Sequence, residues 1–191
     1  MVELSLCCND EMTGTIISEI GELTKLSFLS LKHTKLKGNI PDEFWQLRHL
    51  ESLAMYNTRL TGPVSSKIGQ LSKLGMALLA YNEHTGPIPT QIGLMTALTE
   101  LSFAGNRFTG PIPTEVAQLE KLSEFSVNSN NLSGPIPFIY PATLRRFDLR
   151  NNTLLFGTIP DTICDNLAGD SLRFDCTDSL CGCDCNCSLI V

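Results

Sequence analysis

The chain has 191 residues, 14 Lys+Arg against 20 Asp+Glu for a net charge of −6, 42% hydrophobic residues and 8 Cys. That size and apolar fraction suit one folded domain and exclude wholesale disorder, while the acidic excess without a basic run argues against nucleic acid or an anionic membrane as partner. No apolar stretch approaches the roughly 18 residues of a membrane span, and the opening residues show neither a basic start nor an apolar h-region, so a secreted protein's number of cysteines stands without an export signal.

The glycines reveal the organisation. Gly14, Gly38, Gly62, Gly86, Gly110, Gly134 and Gly157 stand 24 apart five times and then 23, and a fixed period of this length marks a repeat protein. Aligned on them, each unit reads L-x-x-L-x-x-L-x-L-x-x-N/T-x-L-x-G-x-I-P, followed by a short I-G-x-L stretch. Nine of the ten prolines occupy its two proline positions, Pro141 being the exception.

In chain order, the first unit opens with Glu3-Leu4-Ser5-Leu6-Cys7-Cys8-Asn9, which already reads as strand and turn, so Met1 falls inside a coil. The units that follow carry alternating pairs, Leu29/Leu31, Leu53/Met55, Ala77/Leu79, Leu101/Phe103, Phe125/Val127 and Phe147/Leu149. Such alternation predicts short strands with one buried face, which stack as a parallel sheet. Three residues on stand Thr34, Thr58, Asn82, Asn106, Asn130 and Asn152, whose side chains can hydrogen-bond backbone that the stack buries. The glycine permits a positive φ, and the prolines fix an extended path and remove a donor. Segments such as Thr90-Gln91-Ile92-Gly93-Leu94 leave room for one or two helical turns. Departures are local: Ile16-Ile17 and Val64-Ser65 lack the second proline, Met12 and His84 replace the leucine of Asn-x-Leu, and the stretch from Phe138 to Thr143 is two residues short.

This pattern resembles the leucine-rich repeats, and its Leu-x-Gly-x-Ile-Pro segment resembles the plant-type subclass, over about residues 3 to 164. The resemblance implies an α/β repeat solenoid. That fold is a right-handed superhelix with a parallel concave β-sheet, extra short strands after it, and short helical or 3-10 turns and loops on the convex side. It further implies the company of receptor-like kinase and receptor-like protein ectodomains, polygalacturonase inhibitors and related secreted binders. The Cys-rich end is similar to repeat proteins of diatoms and other algae.

Two parts are expected: residues 1–163, about seven repeats of which the first is truncated, and a Cys-rich C-terminal cap over 164–191. A solenoid exposes core at its ends unless capped. Cys164, Cys176, Cys181, Cys183, Cys185 and Cys187 supply three possible bridges among 15 connectivities, with Cys164–Cys176 a plausible clip. A thiolate metal cluster and free thiols are the rival readings, and alternating Cys-x-Cys departs from the paired spacing of zinc sites. The N-terminal unit shows no cap, so the chain is expected to lack its natural beginning. Cys7 and Cys8 there read as free thiols, as partners of lost cysteines, or as a vicinal disulfide.

Strand alternation gives an outward face with an apolar cluster, Phe28, Tyr56, Met76, Leu78 and Tyr81, expected side by side. Glu100 and Glu124 face Arg146 and Arg150 further along. Apolar surface with two Tyr suits a protein contact, and the charges suit orienting a partner. Asn131, Asn151 and Asn186 head Asn-x-Ser/Thr tripeptides, acceptors for glycosylation if the chain is exported. His33, His49 and His84 lack partners for catalysis, with His84 expected to be a half-buried packing residue, and no phosphate-binding motif occurs. The reading is a non-enzymatic module without metal or cofactor, binding a protein, peptide or glycan at the cell surface or outside the cell. The alternatives are a piece of a membrane receptor-like ectodomain, a structural, cell-wall-associated or ice-binding protein, and a cytoplasmic location.

Overall fold

The computed structural model describes residues 2–158 and the short strand Leu172–Arg173. The six cysteines from Cys164 to Cys187, Asn186 and the boundary expected at 164 therefore lie outside the described residues.

Among the described residues, two parallel sheets run from coil to coil. The first holds eight strands: β1 (Val2–Ser5), β3 (Leu26–Ser30), β5 (Ser52–Ala54), β7 (Met76–Leu78), β9 (Glu100–Ser102), β11 (Glu124–Ser126), β13 (Arg146–Asp148) and β15 (Leu172–Arg173). The second holds seven: β2 (Asn9–Gly14), β4 (Thr34–Asn39), β6 (Arg59–Pro63), β8 (Glu83–Pro87), β10 (Arg107–Gly110), β12 (Asn131–Pro135) and β14 (Leu154–Phe156). These are the extra short strands that the resemblance implied. Because successive coils repeat the same pattern, equivalent residues pair: Leu29 with Leu53, then Ala77, Leu101, Phe125 and Phe147. Those side chains point inward and form one continuous core with Phe44, Trp45, Phe103 and Phe108. Each fully buried large side chain contributes roughly 1.5–3 kcal/mol.

Polar backbone between the sheets is satisfied by the asparagine column. Asn106 Nδ2 donates to the carbonyls of Phe103 and Ala104 in its own coil and of Leu79 in the coil before, while its Oδ1 accepts from His84 N at 3.0 Å. Asn82, Asn130 and Asn152 repeat this bridge. The two threonines in the column do less: Thr34 donates to Leu31 O of its own coil, and Thr58 to Met55 O and to Asn82 Oδ1.

On the far side, five-residue 3-10 helices close the first five coils: Ser18–Glu22, Asp42–Gln46, Ser66–Gln70, Thr90–Leu94 and Thr114–Gln118. Pro41, Pro89 and Pro113 precede three of them in extended conformation. Where proline is missing, Ser65 compensates by accepting a hydrogen bond from Lys67 N. The glycine of the I-G-x-L stretch is explained by packing, since a Cβ on Gly69 would lie 2.7 Å from Gln91 O of the next turn.

Two units break the rule. Asn9 and Gly14 stand five apart, as Asn152 and Gly157 do, where the five units between them have four, and the β2–β4 register slips at the first. The shortened sixth unit lacks a 3-10 helix of the kind found in the first five, and closes with Leu144 N donating to Pro141 O, while Tyr140 packs its ring 4.7 Å from Phe147.

Leu101 is fully buried and Ser102 half-buried on the outward face. Leu101→Ala should cost roughly 2–5 kcal/mol in urea unfolding followed by circular dichroism, and Ser102→Ala almost nothing. Asn106→Ala, which leaves the buried His84 N without its acceptor, should cost about 1–3 kcal/mol in the same measurement.

Candidate functional site

The open face of the first sheet is built from three rows in register. Phe28, Ser52, Met76, Glu100, Glu124 and Arg146 form one. Ser30, Ala54, Leu78, Ser102, Ser126 and Asp148 form the next by the same pairings. Lys32, Tyr56, Ala80, Ala104, Asn128 and Arg150 form the third, carried past the strand ends by backbone bonds such as Tyr81 N to Ala104 O at 2.7 Å.

Beyond them the chain turns through a left-handed residue in every unit: Cys8, His33, Asn57, Tyr81, Gly105, Ser129 and Asn151, with φ between 53° and 62°. This column went unnoticed in the sequence, although its run of Asn, Ser, His and Gly is the residue set that tolerates that conformation. Tyr81 is the costly member. Its ring lies where a side chain on Gly105 would be, 2.6 Å from an ideal Cβ there, and it remains 57% exposed. Ala80 and Ala104, both buried, form the adjoining floor.

The expected apolar cluster is divided. Ser52 and Ala54 separate Phe28 from Met76 and Leu78 by one strand. Tyr56 turns away from them, meeting the His33 ring edge-on at 5.1 Å with the Lys32 ammonium 5.4 Å from its centroid. Met76 and Leu78 on β7, with Tyr81 just beyond, make the apolar centre. The charged end is likewise resolved into pairs. Arg146 donates to Glu124 at 2.8 Å, whereas Arg150 pairs with Asp148 at 2.7 Å and not with the glutamates. Glu100 is half-buried, and burial followed by the neighbouring Glu124 charge pushes its carboxyl above the usual range.

Elsewhere, Asn131 and Asn151 are exposed, Asn151 donating to Ser129 Oγ at 3.1 Å. Cys7 and Cys8 are free thiols, so no vicinal disulfide joins them. The Ser5 hydroxyl, then Cys8, holds the Cys7 thiol below its ordinary range. Among the described residues no group of three or more His, Cys, Asp or Glu could hold a metal ion, and no helix is long and apolar enough to cross a membrane.

His84 is fully buried rather than half-buried. It fills the leucine position against Phe108, at 6.1 Å between ring centroids. Nδ1 faces Gly62 O at 3.2 Å and so carries the proton, leaving Nε2 without a partner. Burial lowers its pKa, an environment for packing rather than for base catalysis.

A family model described as a leucine-rich repeat region matches residues 1–136, and a second, for the single leucine-rich repeat, matches 143–166. The chain belongs to the leucine-rich repeat family. Among solved structures, this leucine-rich repeat protein is similar to the Arabidopsis receptor kinase HAESA, solved with the peptide hormone IDA and the co-receptor SERK1. The identity is 31% and the TM-score 0.83, over 90% of this chain and 30% of that one. It is also similar to the ectodomain of the membrane receptor kinase GASSHO1/SCHENGEN3 from Arabidopsis thaliana, solved with CASPARIAN STRIP INTEGRITY FACTOR 2, at 27% identity and TM-score 0.68 over 89% and 24% of the two chains. The ectodomain of the Arabidopsis thaliana receptor kinase SOBIR1 matches at 29% identity and TM-score 0.65, over 70% and 73%. The chain thus spans less than a third of the first two. A search of curated proteins finds no match.

Because the folded state holds His84 neutral, its protonation favours unfolding. Its contribution is complete above the ordinary histidine value of about 6.5 and declines as pH falls below it. His84→Leu should therefore raise the melting temperature at pH 5.5 more than at pH 8, measured by thermal melts at both values.

Proposed function

We propose that this leucine-rich repeat protein is a non-enzymatic recognition module that presents the open face of its first sheet, as a rigid surface, to a protein or peptide. The observation that carries the reading is Tyr81, an exposed aromatic ring held in a left-handed turn and braced on the bare backbone of Gly105. A strained conformation maintained by its surroundings is characteristic of functional positions, and rigid tyrosines lose little freedom on binding. The peptide hormone IDA bound to the receptor kinase HAESA supports a peptide ligand here.

The finer assignment follows the same line. The Leu-x-Gly-x-Ile-Pro units support the plant-type subclass and a place outside the cell or at its surface, with Asn131 and Asn151 as glycosylation acceptors. A second reading, that the chain is one piece of a longer receptor ectodomain, is favoured by the small share of the HAESA ectodomain it covers.

Panning a random displayed-peptide library against the full chain tests the face. Tyr81→Ala should weaken the selected peptides about ten-fold or more, and Gly105→Ala, which displaces the ring, should do the same. Thr85→Ala on the second sheet should change nothing. Equal affinity for all variants would remove the face from consideration.

A further inference from the structure

We infer that the ligand of this face is a peptide carrying an arginine or lysine two residues from an apolar side chain, the cation seating between Glu100 and Glu124 and the apolar group on Met76, Leu78 and Tyr81. The inference rests on the reading that this face binds a peptide.

Glu124 is paired with Arg146 and Asp148 with Arg150, whereas Glu100 takes part in no ion pair among the described residues. Glu100 stands beside Glu124 in the β9–β11 register and beside Met76 in the β7–β9 register. An unpaired, half-buried carboxylate next to a second carboxylate is destabilised by lost solvation and by like charge, and both costs fall when a cation is placed between them. The Glu124–Arg146 pair does not forestall this, because the arginine side chain is 69% exposed and exposed pairs contribute at most about 1 kcal/mol.

Spacing then selects the register. Strands of the sheet are about 4.8 Å apart, and alternate side chains of an extended peptide about 6.7 Å. A peptide crossing the strands with an apolar side chain over β7 therefore brings the side chain two residues on between β9 and β11, where the two glutamates lie. Arginine fits better than lysine, since its planar fork can donate to both carboxylates.

The test uses the same displayed library, of about a dozen random residues, panned against the full chain in parallel with Glu100→Gln and Glu83→Gln, the latter on the second sheet. Selected peptides should carry Arg or Lys two positions from an aliphatic or aromatic residue. Their affinity should fall on the order of ten-fold with Glu100→Gln, fall with added salt, and be unaffected by Glu83→Gln. Sequences that are neutral or acidic at that position, yet still depend on Tyr81, would overturn the inference and leave the peptide-binding reading in place. Failure to select any peptide dependent on Tyr81 would overturn both.

Discussion

The side-chain amide of the column asparagine is the interaction on which the fold depends. A parallel stack of short strands leaves carbonyls and amides at every turn buried between coils, and an unpaired buried backbone group costs about 1–3 kcal/mol. One carboxamide has enough donors and acceptors to serve two coils at once, as Asn106 does by accepting from His84 N and donating to Leu79 O, Phe103 O and Ala104 O. A hydroxyl, with one proton, does less: Thr34 bonds within its own coil alone, and Thr58 shares its proton between Met55 O and Asn82 Oδ1. Asparagine fills the column at Asn9 and in every unit from Asn82 to Asn152, and the left-handed turn before the column is kept in all units, those with threonine included.

Regularity of the backbone is what turns scattered side chains into a surface. Fixed register sets Glu100 beside Glu124 and Met76, and fixed turn geometry sets the Tyr81 ring over Gly105. Both arrangements lie on the open face and outside the apolar core, so side chains there can differ from coil to coil without disturbing that core, which separates recognition from stability. Alanines at 54, 80 and 104, buried although they point outward, show where larger neighbours such as Tyr81 cover the floor.

Much of this was legible in the residues. The glycine period, the alternating pairs and the Asn/Thr column each report a constraint internal to one unit, and the strands, the inter-coil bonds and the one-turn helices follow from them. What escaped notice arises between units or from rotamer choice. Gly69 is glycine because of Gln91 in the next coil. Arg150 chooses Asp148 two residues away over glutamates on other strands, and Tyr56 turns to His33 and Lys32 instead of Leu78. The extra residue between Asn9 and Gly14 was countable, yet the match of Met12 to a leucine position concealed it. His84 in a leucine position read as half-buried because its polarity argued for some exposure, but the core closes over it and leaves Nε2 without a partner.

The central claim is that recognition takes place on the open face of the first sheet. Nuclear magnetic resonance shift mapping of the isotope-labelled chain with a library-selected peptide tests it most directly. The account predicts perturbations concentrated on Met76, Leu78, Tyr81, Glu100, Ser102 and Gly105, with the second sheet unmoved at Thr61, Thr85 and Thr109. Perturbations centred on those threonines, with Tyr81 and Glu100 unchanged, would contradict it.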